Sequence, residues 1–384
     1  MLTFKLAYKN LLGAGLRTWL NVSVLSLAFV LIVFYNAMID GWNRQSRNDT
    51  QNWEIAQGQY WHPQYDKYDI FSIQDAHKPL DESIQALVQD EELVPQLLQQ
   101  AAIYPQGRMQ NVLLRGIPNE QKLLKLPTIQ LASSGDPNTA IIGKRMAKTA
   151  RLSVGDRVLL RWRDKNGTFD AQSFIIADVF SCDVAEADQG QFYIDYRLMQ
   201  KMMGLAGEAS LLVSKTEASR PLPGWEFHSA DHLLKDLDQL IHSERISGMI
   251  MQMILLMIAL LAIFDTQVLS IFRRKKEIGT YMALGLTRKQ VVGIFTVEGA
   301  MHSLLAAIFG AVYGIPLFMW INTIGINFGS ADMGITIAER IYPYYSIQLL
   351  VVSVLVVCIS STIVSYIPAR KIGRMKPTDL LKGK

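Results

Sequence analysis

The segment "ISGMIMQMILLMIALLAIFDTQVLSIFRRKKEIGTYMALGLTRKQ", residues 246–290, passes between two solvents. Ile246 to Phe264 carries no charge. The chain then reaches four consecutive cations, Arg273, Arg274, Lys275 and Lys276, a short amphipathic stretch, a glycine, and the polar start of another apolar run. A hydrocarbon core is crossed by about 20 apolar residues in a helix. Three further stretches are free of charge: Thr18 to Ile39, Gly299 to Ala331 and Ile341 to Ala369. Four spanning helices are expected, near 19–39, 249–272, 299–321 and 346–367.

This sets the fold class: an α-helical membrane protein with a large α+β extracytoplasmic domain between helices one and two. The expected order is an N-terminal amphipathic segment with the first helix (1–39), the inserted domain with a stalk helix (40–245) and helix two (246–272). A cytoplasmic elbow (273–290), helices three and four (291–369) and a basic tail (370–384) follow. The first apolar run is longer than a signal-peptide core and lacks a clean small-residue cleavage site before Asp40, so it is read as a retained anchor.

Charge sets the orientation. Lys5, Lys9 and Arg17 precede helix one, the elbow carries six cations, and Arg370, Lys371, Arg374, Lys376, Lys382 and Lys384 follow helix four. The positive-inside rule places both termini and the elbow in the cytoplasm. The insert has 22 Lys and Arg against 28 Asp and Glu, net −6, although the whole chain is +4. The basic excess thus belongs to the cytoplasmic ends, and nothing points to nucleic acid. The two cysteines, Cys182 and Cys358, fall in the insert and in helix four, so this topology keeps them apart.

Within the insert, 111–117, 157–163, 173–180 and 210–213 have strand composition, and the turns "SVGDR" and "DKNGT" flank "RVLLRW". Residues 83–100, 119–125 and 144–150 read as helices, with a subdomain boundary near 127–138. Residues 229–245 form an amphipathic helix capped by Ser229. No Pro or Gly separates it from helix two before Gly248, so one rod over 230–272, roughly 60 Å long, is expected.

No enzyme site emerges. "GDPNTAIIGKR" (135–145) lacks the glycine spacing and the Ser/Thr of a phosphate loop. His228 and His232 stand four apart without a third histidine, so two solvated polar side chains are favoured over a metal site. The intramembrane acids Asp265 and Glu298 lie near the cytoplasmic ends of their helices, where pairing with a neighbouring cation or reaching headgroup water accounts for them. Met249 and Met253 belong to a methionine-rich outer end of helix two, and Phe34 and Met38 lie one turn apart on helix one.

In the elbow, Gly285 suits a left-handed helix end. Thr287 and Gln290 fit a capping box that starts helix three. Ile278, Tyr281, Met282 and Leu284 give an apolar face ringed by cations, which suits a groove on a partner protein.

These residues carry a resemblance. Glu277-Ile278-Gly279, Ala283-Leu284-Gly285, Thr287-Arg288, then Phe295 and Glu298, resemble the signature of FtsX-like permeases of MacB-type ABC transporters. "YIPARKIGRMKPTDLLK" (366–382) and "LAYKNLLGAGLRTWLNVSVLSLAF" (6–29) resemble that family's end and start. "NAMIDGWNRQ", "GQYWHPQYDKYD" and "AIIGKRMAKTARLSVGDRVLL" are most similar to lipoprotein-releasing (Lol-type) members. One departure is Asp265, where many relatives carry Asn. The resemblance implies a non-enzymatic subunit of the bacterial inner membrane, with ATP and Mg bound by a separate ABC ATPase that grips the elbow at Glu277 to Arg288. It implies a second permease subunit, identical or paralogous, and a lipoprotein cargo. The acyl chains of that cargo would lie in a cavity walled by Phe34, Met38, Met249 and Met253, with a soluble periplasmic carrier as receiver. The alternatives are a MacB-like exporter of peptides or drugs and a non-transporting FtsX-like regulator of a wall hydrolase.

Overall fold

The computed structural model describes residues 16–132, 136–217, 220–327 and 340–372. The amphipathic segment expected at the N-terminus and most of the basic tail lie outside them. In chain order the helices are α1 (Leu16–Thr50), α2 (Glu82–Gln89), α3 (Lys144–Ala150), α4 (Ala185–Asp188), α5 (Tyr196–Met203), α6 (Ala230–Leu233), α7 (Lys235–Arg273), α8 (Lys275–Ala283), α9 (Arg288–Ile324) and α10 (Ile347–Ile372). The strands are β1 (Gly58–Trp61), β2 (Lys78–Pro79), β3 (Leu93–Ile103), β4 (Gln110–Ile117), β5 (Thr139–Gly143), β6 (Arg157–Arg163), β7 (Phe169–Phe180), β8 (Gln191–Asp195), β9 (Glu208–Ala209), β10 (Leu211–Ser214), β11 (Glu226–Ser229), β12 (Ile326–Asn327) and β13 (Arg340–Ile341).

Contacts divide the chain into two units. Met1–Trp42, Leu240–Ile326 and Ile341–Lys384 form one; Asn43–Gln239 and Asn327–Arg340 form the other. α1, α7, α9 and α10 are long and apolar enough to cross a membrane. α1 runs past the expected end at residue 39 to Thr50, and a π-helical turn continues it to Ile55.

In the second unit a nine-stranded sheet has the order β11-β1-β10-β3-β4-β8-β5-β7-β6, and β6 pairs back onto β3. The run from β3 to β6 therefore closes on itself. "RVLLRWR" shows why: Val158, Leu160 and Trp162 are buried while Arg157, Leu159, Arg161 and Arg163 are exposed, the period-two pattern of a strand with one apolar face. The inward side chains join Leu114, Ile142, Phe174, Phe192 and Ile194 in one core.

Several expectations need correction. Only Glu82–Gln89 of 83–100 is helical. Glu91 turns the chain at φ 57°, and Leu93–Ile103 is strand, paired by β10 on one side and β4 on the other. Leu, Gln and Ala favour a helix, but pairing on both sides overrides that preference. Residues 119–125 form turns instead of a helix. There the Gln121 side chain accepts from Leu124 N at 2.8 Å and donates to Leu124 O at 3.0 Å, replacing helical bonds. No boundary falls at 127–138, because β5 lies inside the same sheet, paired with β7 and β8. Ser229 caps α6, accepting from His232 N, but Leu234 interrupts the expected rod before α7 begins.

Candidate functional site: the elbow and the helices that carry it

The elbow is built by local signals. α7 ends at Arg273, and Arg274, at φ −101° and ψ 16°, breaks the helix before α8. The stretch from Lys235 to Ala283 is thus two helices. At the other end Gly285 takes φ 97°. Leu286 N donates to Tyr281 O at 3.0 Å and Gly285 N to Met282 O at 3.2 Å, the paired bonds of a glycine-terminated helix. Thr287 Oγ1 then accepts from Gln290 N at 3.3 Å while Gln290 Oε1 accepts from Thr287 N at 2.8 Å, which starts α9.

The expected apolar face splits in two. Ile278 is fully buried, in a cluster with Ile271, Val291, Phe295 and Ala369, and Met282 packs against it. Gly279 is also buried and Tyr281 half-buried. Leu284 is 76% exposed, flanked by exposed Ala283, Gly285, Thr287 and Arg288. Glu277 is exposed on α8. The elbow therefore has an inner side that seats it on its own helices and an outer apolar tip.

Of the two acids, Glu298 is buried on α9 and ion-paired with Arg274 at 3.4 Å, while Asp265 is exposed on α7. Arg274 was not singled out from the sequence. Four consecutive cations look alike there, and only the phase of the helix break turns this one inward.

The four phenylalanine and methionine positions expected to wall an acyl-chain cavity differ in exposure. Met249 and Met253 are exposed, Phe34 is half-buried and Met38 is buried. α1 and α7 meet through an apolar cluster that includes Leu25, Val33, Ala259 and Ile263, and through polar pairs: Asp40 with Arg245 at 2.6 Å, Tyr35 Oη donating to Glu244 O at 3.3 Å, and Asn36 donating to Gln252 at 3.1 Å. Deeper, Thr266 donates to Asn21 at 3.2 Å. Such hydrogen bonds suit helices that lipid does not drive together. α9 and α10 pack through small residues, with Ser361 Oγ donating to Gly299 O at 3.0 Å.

In the inserted domain, the His228 and His232 ring centres lie 5.1 Å apart with the rings tilted by 34°, and the Trp61 ring centre lies 4.3 Å from that of His228. Burial, and then His232, lower the pKa of His228. No cluster of three metal-ligating side chains exists among the described residues. The segment that resembled a phosphate loop supplies β5 and α3.

Residues 249–377, which contain the elbow and helices α9 and α10, match the FtsX-like permease C-terminal domain. This part of the chain is an FtsX-like permease domain. The chain is 22% identical over 319 residues to the lipoprotein-releasing system transmembrane protein LolC of Xylella fastidiosa, covering 74% of this chain and 76% of that protein. An uncharacterized ABC transporter permease of Methanocaldococcus jannaschii is 30% identical over 128 residues, covering 33% of this chain and 30% of the relative. Another, from Mycobacterium tuberculosis, is 21% identical over 197 residues, covering 48% and 22%. An FtsX-like permease is a membrane protein, and its family implies an ATPase partner and a second permease.

Proposed function

We propose that this permease couples ATP hydrolysis in a separate cytoplasmic ABC ATPase, which holds ATP and Mg, to movement on the opposite side of the bacterial inner membrane. The elbow, Glu277 to Arg288, is the element the ATPase grips. The observation that carries this is the exposed tip, where Leu284 projects from a helix end fixed by Gly285 and the Thr287 cap. A large apolar side chain held out on a rigid support beside cations suits a protein groove. The basic residues of the elbow and termini support a cytoplasmic location.

The cargo proposed is lipoprotein, extracted from the inner membrane and passed to a soluble carrier. Similarity to LolC over three quarters of both chains supports this over the exporter and regulator readings. Replacing Leu284 with Asp puts a carboxylate where a groove would desolvate it, at a cost on the order of several kcal/mol. The Leu284→Asp protein is expected to insert normally and to lose the ATPase in co-purification. Undiminished association would overturn the docking assignment.

A further inference from the structure

Arg274 joins two helices through one side chain. It stands at the break between α7 and α8. Its Nε donates to Glu277 Oε2 on α8 at 2.8 Å, and its Nη1 lies 3.4 Å from Glu298 Oε2 on α9. The guanidinium also sits 5.4 Å from the centre of the Phe295 ring, again on α9. Phe295 belongs to the cluster that buries Ile278, so the charged contact and the apolar seat hold the same two helices together. Arg274 and Glu298 side chains are 17% and 5% exposed, whereas Glu277 is 57% exposed.

We propose that Arg274 is a positioning residue that latches the coupling helix α8 to α9, so that a push on α8 moves α9 instead of being absorbed at the break. This rests on the elbow being the ATPase docking element. A break without a latch is a free joint, and a joint loses the direction of an applied force. Apolar packing at Ile278 resists separation but permits rotation. A planar guanidinium that meets one carboxylate with Nε, a second with Nη1 and lies over a ring opposes rotation as well. Lysine offers a point charge in place of that fork, so it replaces the charge without the geometry.

The bland reading is that a buried Glu298 merely needs a counter-ion. Removing one partner then destabilises the protein, and removing both is tolerated. The test separates these. In a background with Cys182 and Cys358 replaced by Ala, nitroxide labels are placed at exposed Thr280 on α8 and exposed Leu304 on α9. Distance distributions are measured by double electron–electron resonance in the detergent-solubilised full-length permease without ATPase. We expect a narrow distribution in the parent. Its width should at least double in Arg274→Gln and in Glu298→Gln, and lie between the two in Arg274→Lys. The double variant Arg274→Gln/Glu298→Gln leaves no unpaired buried charge, so it folds, and its distribution stays broad. A folded double variant with the parent's width would overturn the latch, because the pair would then serve stability alone. The docking reading fails independently: if Leu284→Asp keeps its ATPase while the Arg274 variants broaden, the latch stands and the docking site lies elsewhere.

Discussion

Gly299 has no room for a side chain. A Cβ built there would lie 1.8 Å from Ser365 Oγ and 2.3 Å from Ser365 Cβ. Ser365 is itself fully buried on α10, so neither helix yields without moving. Adding one methyl group to such a contact costs roughly 1–3 kcal/mol. Gly299→Ala is therefore expected to lower the thermal unfolding midpoint of the detergent-solubilised permease, and Ser365→Gly added to it should restore most of the loss. An unchanged midpoint in Gly299→Ala would mean that α9 and α10 do not meet here. At this scale the sequence is legible where the signal is local. Gly285 and Thr287 declare their roles through their immediate neighbours. The partners of Glu298 and Gly299 lie 24 and 66 positions away in the chain, and nothing in local composition selects Arg274 over Arg273 or Ser365 over Thr362.

The same rule governs elements. The four spanning helices follow from uninterrupted apolar composition, and "RVLLRWR" from strict alternation. β3 is different: its residues Leu93–Gln100 read as helix formers because β10, β4 and β6, which make it a strand, come later in the chain. Phe34 with Met38, and Met249 with Met253, each share a face of one helix, and spacing alone does not relate the two pairs. How α1 turns against α7 depends on Tyr35, Asn36, Asp40 and their partners, and this phase buries Met38 while leaving Met253 exposed at 67%. Met253, Met257 and Leu261 form an exposed stripe at four-residue spacing. Apolar chains bind such a stripe at about 0.8 kcal/mol per buried methylene, and a carboxylate there repels them. Met253→Asp should abolish lipoprotein release from spheroplasts supplied with soluble carrier, while ATP hydrolysis by the complex continues. Normal release by a stably inserted Met253→Asp protein would remove the acyl-chain assignment.

For the whole molecule, the deciding quantity is which side of the membrane each end of the helices faces, and the basic residues argue it by number alone. A direct measurement is available because the native thiols are easily silenced. Burial pushes the Cys182 thiol up to about 12, so at neutral pH almost none is the reactive thiolate, and its sulfur is covered and donates weakly to Val184 O at 3.5 Å. Cys358, half-buried on α10, is replaced by Ala. In that background a membrane-impermeant maleimide should leave native spheroplasts unlabelled and react with Cys182 only after denaturation. Cysteine introduced at Asn166, exposed in the turn between β6 and β7, should then label in intact spheroplasts. Cysteine at Lys289, exposed at the start of α9, should label only after the membrane is permeabilised. The two sites belong to opposite arms of the charge asymmetry, so the pair tests the orientation as a whole. Labelling of Lys289→Cys from outside would turn the molecule over. It would put the Leu284 tip out of reach of any cytoplasmic ATPase, and the docking proposal would fall with the orientation.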